Sequence, residues 1–140
     1  MEEARGILID TNILASKKLK ILLSINEPLY ITPTILLEYL DWAIESRNIW
    51  LGKGNEKRAK GYEKLIKLFP KLIEELGINM IDQNVDKDDL KEITILIIQR
   101  NIDPGDATNA ITTKKQKLKT ITQDKDWQRL QDYTKEIIFI

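Results

Sequence analysis

Cysteine and histidine are both absent from the 140-residue sequence. Without cysteine, the chain can form no disulfide, no thiolate nucleophile and no cysteine-based zinc site. Without histidine, it can form no serine–histidine triad, no two-histidine zinc motif and no histidine acid–base pair of the usual kind. The remaining residue types for catalysis are Asp, Glu, Lys, Tyr, Ser and Thr. This inventory best fits a hard cation with oxygen ligands, namely Mg²⁺ or Mn²⁺.

Long apolar runs are also missing. No run reaches the ~18 residues that a membrane-spanning helix needs, and the opening MEEARG lacks the features of a secretory signal. We therefore expect no membrane contact and a cytoplasmic location. The 22 basic and 22 acidic residues balance to zero, so the total charge neither indicates nor excludes a nucleic-acid partner. The length suits one domain over residues 1–140.

Short apolar runs alternate with helical patterns along the whole chain. The fully apolar Ile7-Leu8-Ile9 is typical of a strand buried on both faces of a parallel sheet. Four more strands are predicted, at 28–32, 78–82, 118–124 and 136–140. The alternation indicates a three-layer α/β/α domain around a mostly parallel five-stranded sheet, without an internal repeat or a second domain.

Helices are predicted between these strands. One pattern follows the first strand and includes Leu19, Leu22 and Leu23, and a second helix runs from Pro33 to about Trp50. A long amphipathic helix follows the GKGN break at 52–55 and ends at 76, with a kink or a break expected at Pro70. The last two helices begin after their caps, which are Asp86 and Asp103.

Acidic residues follow several of these strands or lie in the helices after them. In open α/β sheets, ligands bind beyond the carboxyl ends of the strands. The acids at such positions are Asp10, Glu38, Asp82, Asp106, Asp124 and Asp126.

Each of these acids also has a local explanation. Helix-start stabilisation accounts equally well for Asp106, and Glu38 shares a polar helix face with Asp41 and Glu45. Asp10 is more informative because it closes an all-apolar strand. Converging carboxylates would repel one another strongly, and a divalent cation would relieve that repulsion. Such a cluster would be either a metal site or a stability defect.

Four segments together resemble the PIN domain and, within it, the VapC-like ribonucleases. They are ILIDTNIL at 7–14, ITPTILLEYL at 31–40, DPGDATNAI at 103–111 and TITQDKDW at 120–127. The resemblance covers nearly the whole chain. Two departures stand out, since Trp127 replaces the usual Phe and the 52–76 segment is more elaborate than the compact helical pair expected there.

The resemblance implies strand order 3-2-1-4-5 and a metal-dependent endoribonuclease that uses one or two Mg²⁺ or Mn²⁺ ions. That order would put the third strand at the sheet edge, so Asp82 is interpreted as a turn residue. The implied catalytic residues and metal ligands are Asp10, Glu38, Asp106 and Asp124, with Asp126 as an auxiliary ligand. The implied supporting residues are Thr11, Asn12 and Thr122. VapC-like toxins usually form homodimers and are neutralised by a small antitoxin, so both partners are expected here.

Lysines are the candidates for contacts with the RNA backbone, where they would act as point charges. The lysines nearest the predicted strands are Lys17, Lys18, Lys114 and Lys115. A lysine stripe along the 57–71 helix is interpreted instead as a solvated face.

Four alternatives remain open. A PIN nuclease of RNA processing would keep the site without a toxin role. A receiver-like phosphoacceptor could use Asp82, but the first strand ends in a single Asp and no Lys follows the last strand. A Toprim-like site would use Glu38 and the later Asp-x-Asp, and it leaves Asp10 and Asp106 unexplained. A metal-binding or regulatory module without nuclease activity is the fourth alternative.

Overall fold

Five short parallel strands form the centre of the fold. A computed structural model describes residues 3–140. The strands are β1 (Ile7–Ile9), β2 (Leu29–Ile31), β3 (Ile78–Met80), β4 (Lys119–Thr122) and β5 (Ile137–Phe139). The helices are α1 (Thr11–Leu14), α2 (Pro33–Gly52), α3 (Glu56–Glu75), α4 (Lys87–Arg100) and α5 (Pro104–Gln116). Two 3-10 segments complete the described chain, the first at Lys17–Ser24 and the second at Lys125–Tyr133.

The strand order is β3-β2-β1-β4-β5, and every neighbouring pair is parallel. This confirms the predicted order and the α/β class, with helices covering both sides of the sheet. The order reverses between β1 and β4, where Ile9 lies opposite Ile121. The residues that follow these two positions, Asp10 and Thr122, therefore leave the sheet side by side.

Two apolar clusters form the core. The first packs the strands against α1, α2 and α3, and it includes the fully buried Leu8, Ile9 and Ile31. The second lies among α4, α5 and the second 3-10 segment, around Trp127 and Leu130. Asp10 follows a strand of the first cluster directly, so the chain leaves an apolar interior at that point.

Helix α3 is continuous across Pro70, so the predicted break into two pieces does not occur. Proline removes one backbone hydrogen bond, but Pro70 itself is exposed. The preceding residue, Phe69, is buried and stacks on Tyr39 of α2 at a centroid distance of 4.2 Å. Packing against α2 and the sheet therefore holds both halves of α3 in one helix. After α3, Gly77 adopts the positive φ of 65° that favours glycine.

Three other predictions need correction. The pattern after β1 splits into the four-residue α1 and a 3-10 segment, which Ser16 caps, and Leu23 is 72% exposed. The second 3-10 segment was not predicted at all. β3 ends at Met80, so Asp82 lies two residues beyond it and is exposed.

Within residues 3–140, none of the helices combines the length and apolar character needed to span a bilayer.

Replacing Pro70 with alanine should stabilise the protein. Pro70→Ala restores a helix-interior N–H, which is worth ~3 kcal/mol in isolated helices, but the freer unfolded chain offsets up to about 1 kcal/mol. We expect the free energy of unfolding, measured by urea denaturation, to rise by about 1–2 kcal/mol. The matched control is Pro33→Ala, at the first position of α2, where proline is compatible with the helix and no gain is expected. An equal gain from both substitutions would contradict this account of α3.

Candidate functional site

A pocket of about 390 Å³ opens where β1 and β4 end and α5 begins. The four acids predicted to be catalytic all line it, so the structure brings them together. The lining residues are Asp10, Thr11, Asn12, Ala15, Glu38, Trp42, Asp103, Asp106 and Asp124. Among residues 3–140, no lysine or arginine lines this pocket, so nothing in its wall neutralises the carboxylates.

Asp10 is held by three hydrogen bonds. Its Oδ1 accepts from the Thr11 backbone N–H at 2.9 Å, which caps α1. Its Oδ2 accepts from Asn12 Nδ2 at 3.0 Å and from Thr122 Oγ1 at 2.7 Å. The side chains predicted to support the site thus contact or adjoin Asp10. Burial raises the pKa of Asp10 and the nearby Asp124 raises it further, against the hydrogen bonds from Thr122 and Thr11, which lower it.

Glu38 turns into the pocket from α2 and does not share the exposure of Asp41 and Glu45. Its Oε1 accepts a hydrogen bond from Thr11 Oγ1 at 3.2 Å. Burial raises the pKa of Glu38, and the charges of Asp10 and Asp103 add to that effect, while the Thr11 hydrogen bond opposes it. The solvated-face explanation of Glu38 is therefore not supported by the geometry.

Asp106 is a second buried acid of the pocket with a raised pKa. It lies in the first turn of α5 and is 6% exposed. Burial raises the pKa of Asp106 to about 9, and the charges of Asp10, Asp103 and Glu38 contribute to the rise. Without a cation, Asp106 therefore carries a proton at neutral pH.

Asp103 and Gly105 are site residues that the sequence analysis missed. Asp103 was predicted only as a cap, and its Oδ1 does accept from the Asp106 N–H at 3.1 Å, but it also lines the pocket. A Cβ on Gly105 would lie 3.0 Å from Glu38 Oε2 and 3.2 Å from Asp103 Oδ1. Glycine thus lets Glu38 approach the start of α5. The spacing of Asp103, one helical turn before Asp106, was the available signal.

Gln123 links the end of β4 to residues beside the site, and the sequence did not indicate this role. Its backbone N–H donates to Asn12 Oδ1 at 3.0 Å, and its Nε2 donates to the Asn12 carbonyl at 2.9 Å and to Ser16 Oγ at 3.1 Å. These bonds fasten the end of β4 to α1 and to the first 3-10 segment. Nothing in the sequence pattern distinguishes this glutamine from a solvated one.

The end of β4 supplies Asp124 but does not bring Asp126 into the pocket. Asp124 Oδ1 accepts from the Asp126 N–H at 2.8 Å and so caps the second 3-10 segment. The Asp126 side chain is exposed and pairs with Arg129 at 2.6 Å. Its predicted role as an auxiliary ligand therefore has no support in the geometry, because the 3-10 turn points it outward.

The donor set of the pocket fits a hard divalent cation. All its candidate ligands are carboxylate, hydroxyl or amide oxygens, the groups that Mg²⁺ and Mn²⁺ prefer, and the carboxylates lack any other compensating charge. Within residues 3–140, no three acidic side chains already converge closely enough to hold an ion. Binding would therefore draw the carboxylates closer, and the half-buried Glu38 has the longest side chain with which to move.

The predicted RNA-contact lysines separate into two pairs. Lys17 lines a groove beside the pocket, and the exposed Lys18 follows it. Lys114 pairs with Glu92 at 3.4 Å, and Lys115 pairs with Asp89. This second pair lies at the far end of α5 from Asp106, ~12 Å along the axis at 1.5 Å per residue. The structure does not bring Lys114 and Lys115 to the pocket, and their contact with the RNA backbone stays a prediction.

An apolar groove of about 680 Å³ adjoins the acidic pocket, and we call it the α2–α3 groove. Ala15 and Trp42 line both cavities and form their shared wall. Helix α3 supplies most of the opposite side, which gives the elaborate 52–76 segment a structural role. Its lining residues there are Arg58, Gly61, Tyr62, Leu65, Leu68 and Leu72.

Comparisons with known proteins identify the fold. No protein-family model matches the sequence, and neither does any curated protein. PAE2754 from Pyrobaculum aerophilum is similar in structure, with a TM-score of 0.62 and 19% identity over 96% of this chain and 88% of that one. A toxin–antitoxin complex from Klebsiella pneumoniae contains a chain with a TM-score of 0.52 and 18% identity, over 87% of this chain and 90% of that one. At these identities, the likeness shows the shared α/β fold.

The stability of the metal-free protein should fall as the pH rises. The folded-state pKa of Asp106, about 9, lies above its ordinary 3.8, so the native state holds a proton that the unfolded chain loses between these values. The free energy of unfolding therefore decreases from pH 4 toward pH 9. Asp106→Asn should flatten this decline and add about 1–3 kcal/mol at pH 8.

The measurement is urea denaturation in EDTA at several pH values. The control is Asp126→Asn, which lies outside the pocket and should leave the shape of the pH profile unchanged. A profile that Asp106→Asn leaves as steep as that of the unaltered protein would contradict the assigned burial and repulsion.

Proposed function

We propose that this protein is a metal-dependent endoribonuclease whose pocket holds one or two Mg²⁺ or Mn²⁺ ions. The observation that carries the proposal is that four buried or half-buried acids line one pocket, to whose wall residues 3–140 contribute no lysine or arginine. Such an arrangement costs stability, and a cation site explains why it exists. The resemblance of the four sequence segments to VapC-like ribonucleases supports the same reading.

The ligands in this proposal are Asp10, Glu38, Asp106 and Asp124. A bound divalent cation would supply Lewis-acid chemistry toward a phosphodiester and favour deprotonation of water. The chain supplies orientation, since Asn12 and Thr122 fix Asp10 while Thr11 fixes Glu38. Asp106 would have to be deprotonated to act as a ligand, so the affinity for a cation would rise with pH up to about 9.

RNA is the proposed substrate, and its backbone would approach over the first 3-10 segment. Lys17 and Lys18 are exposed there, and Arg58 lines the neighbouring groove. Point charges of this kind attract phosphates without reading sequence. A receiver-like function is disfavoured because Asp82 is exposed beyond the edge strand β3, two strands away from Asp10.

A toxin role with a small antitoxin as partner forms part of the proposal. One structural neighbour comes from a toxin–antitoxin complex, and the α2–α3 groove offers an apolar face for a partner helix. Leu65 and Leu68 are 39% and 45% exposed within it. A basic side chain from that helix would reach the acids past the shared wall. A homodimer is also proposed, through the exposed Leu90, Ile95 and Ile98 of α4.

The decisive experiment is cleavage of end-labelled single-stranded RNA with Mg²⁺, with Mn²⁺ or with EDTA. We expect cleavage that needs the metal and falls by more than ~100-fold in Asp10→Asn, because loss of outer-shell partners alone costs 10–100-fold. Asp126→Asn is the matched control, since it removes one carboxylate outside the pocket. Equal activity of Asp10→Asn and the unaltered protein would contradict the proposed site.

Metal binding can be measured independently of the RNA target. Mg²⁺ should raise the melting temperature, because a ligand at 100 times its Kd stabilises the native state by ~2.7 kcal/mol. The rise should vanish in Asp10→Asn and persist in Asp126→Asn. Absence of both the thermal shift and RNA cleavage in folded protein would overturn the proposal and favour a binding module.

A further inference from the structure

The buried side chain of Trp127 carries an indole N–H, a hydrogen-bond donor that packing in an apolar cluster does not require. Its side chain is fully buried among Ala107, Ala110 and Leu130 in the second apolar cluster. The indole Nε1 is one of two buried side-chain nitrogens in residues 3–140 without a partner in hydrogen-bond geometry. Burying an unsatisfied N–H costs free energy, whereas a phenylalanine would fill the same cluster without that cost. The nitrogen therefore calls for an explanation beyond packing.

The group on which this N–H acts is the Asp10 carboxylate. The indole N–H approaches Asp10 closely enough to lower the pKa of that carboxyl, although it stops short of a well-formed hydrogen bond. Asp10 Oδ2 already accepts from Asn12 and Thr122, and Oδ1 accepts only from the Thr11 N–H. Since each oxygen has two lone pairs, acceptor capacity remains at Oδ1.

The backbone of Trp127 is tied to a second acid of the pocket. Its N–H donates to the Asp124 carbonyl at 3.2 Å, in the turn that begins the second 3-10 segment. Trp127 thus belongs to the turn that Asp124 begins, and its indole N–H acts on the carboxylate of Asp10. An indole nitrogen can only donate, so unlike a hydroxyl it cannot reverse its role toward a carboxylate.

We propose that Trp127 is a positioning residue, whose indole N–H restrains the Asp10 carboxylate in the orientation that a divalent cation requires. The inference rests on the proposed metal site. It adds a hydrogen-bond donor from the second apolar cluster to the groups that support Asp10. A cation bound to Asp10 would hold the carboxylate in one orientation, and the unsatisfied N–H would then have a fixed acceptor.

The contact itself can be observed by ¹⁵N–¹H spectroscopy of the indole groups. The chain has three tryptophans, and Trp127→Phe identifies the resonance of Trp127. We expect this resonance to move in metal-free Asp10→Asn and to move during Mg²⁺ titration of the unaltered protein. Trp50, which stacks under Arg58 at 4.0 Å and does not line the pocket, is the internal control. A Trp127 resonance that neither change affects would overturn the proposal.

The functional consequence is measured as the Kd for Mn²⁺. Trp127→Phe should raise it by roughly 10-fold or more, as other outer-shell losses do. Leu130→Ala is the matched control, because it opens a cavity in the same cluster and lowers stability at least as much without removing the N–H. Its Kd should stay within about 2-fold of the unaltered value, which separates positioning from general loosening of the core.

The outcomes distinguish this inference from the proposed function. Equal Kd values for Trp127→Phe and the unaltered protein would overturn the positioning role and leave the nuclease proposal standing. An equal rise in Trp127→Phe and Leu130→Ala would also overturn it, since packing alone would then account for the effect. Failure of the unaltered protein to bind Mn²⁺ would overturn both.

Discussion

Repulsion among carboxylates at one edge of the sheet constrains the rest of this molecule. Asp10 and Asp106 are nearly inaccessible, Glu38 is half-buried, and the pocket wall of residues 3–140 contributes no positive side chain. An isolated chain with this arrangement keeps a proton on Asp106 at neutral pH. The surrounding fold must therefore hold the carboxylates near one another despite their electrostatic repulsion. A bound cation or a proton reduces that repulsion.

The parallel sheet holds these carboxylates in place, and side-chain hydrogen bonds add to that restraint. The register of β1 and β4 sets Asp10 beside Thr122, whose hydroxyl donates to the carboxylate. Gln123 then fastens β4 to α1 through two bonds to Asn12. Short strands suffice here because β1 and β4, which carry the site, are largely buried and each pairs with a neighbour on both sides. The site is thus mounted on the central strands of the sheet.

The sequence carried the architecture and the principal acids, but not the details that depend on tertiary contacts. Strand positions followed from short apolar runs, and the strand order came from the resemblance. Periodicity was misleading after β1, where a 3-10 segment imitates helical spacing over a few residues. At Pro70 a kink or a break was predicted, and the stacking of Phe69 on Tyr39 accompanies a helix that does not break. Lys114 and Lys115 lie in the last turn of α5, away from Asp106 in its first turn, as their place in the sequence already indicated. Asp103 was missed because its cap role already explained it, and Gln123 because no sequence pattern marks it.

Ala15 and Trp42 form a wall that the two cavities share. Any ligand of the α2–α3 groove that shifts this wall alters the affinity of the acidic pocket, and linkage requires the pocket's ligand to alter groove affinity by the same factor. A partner that displaces a substrate strand is itself displaced by that strand at sufficient concentration. When both are well above their Kd values, the ratio of partner to substrate then sets the fraction of molecules whose pocket is free of the partner.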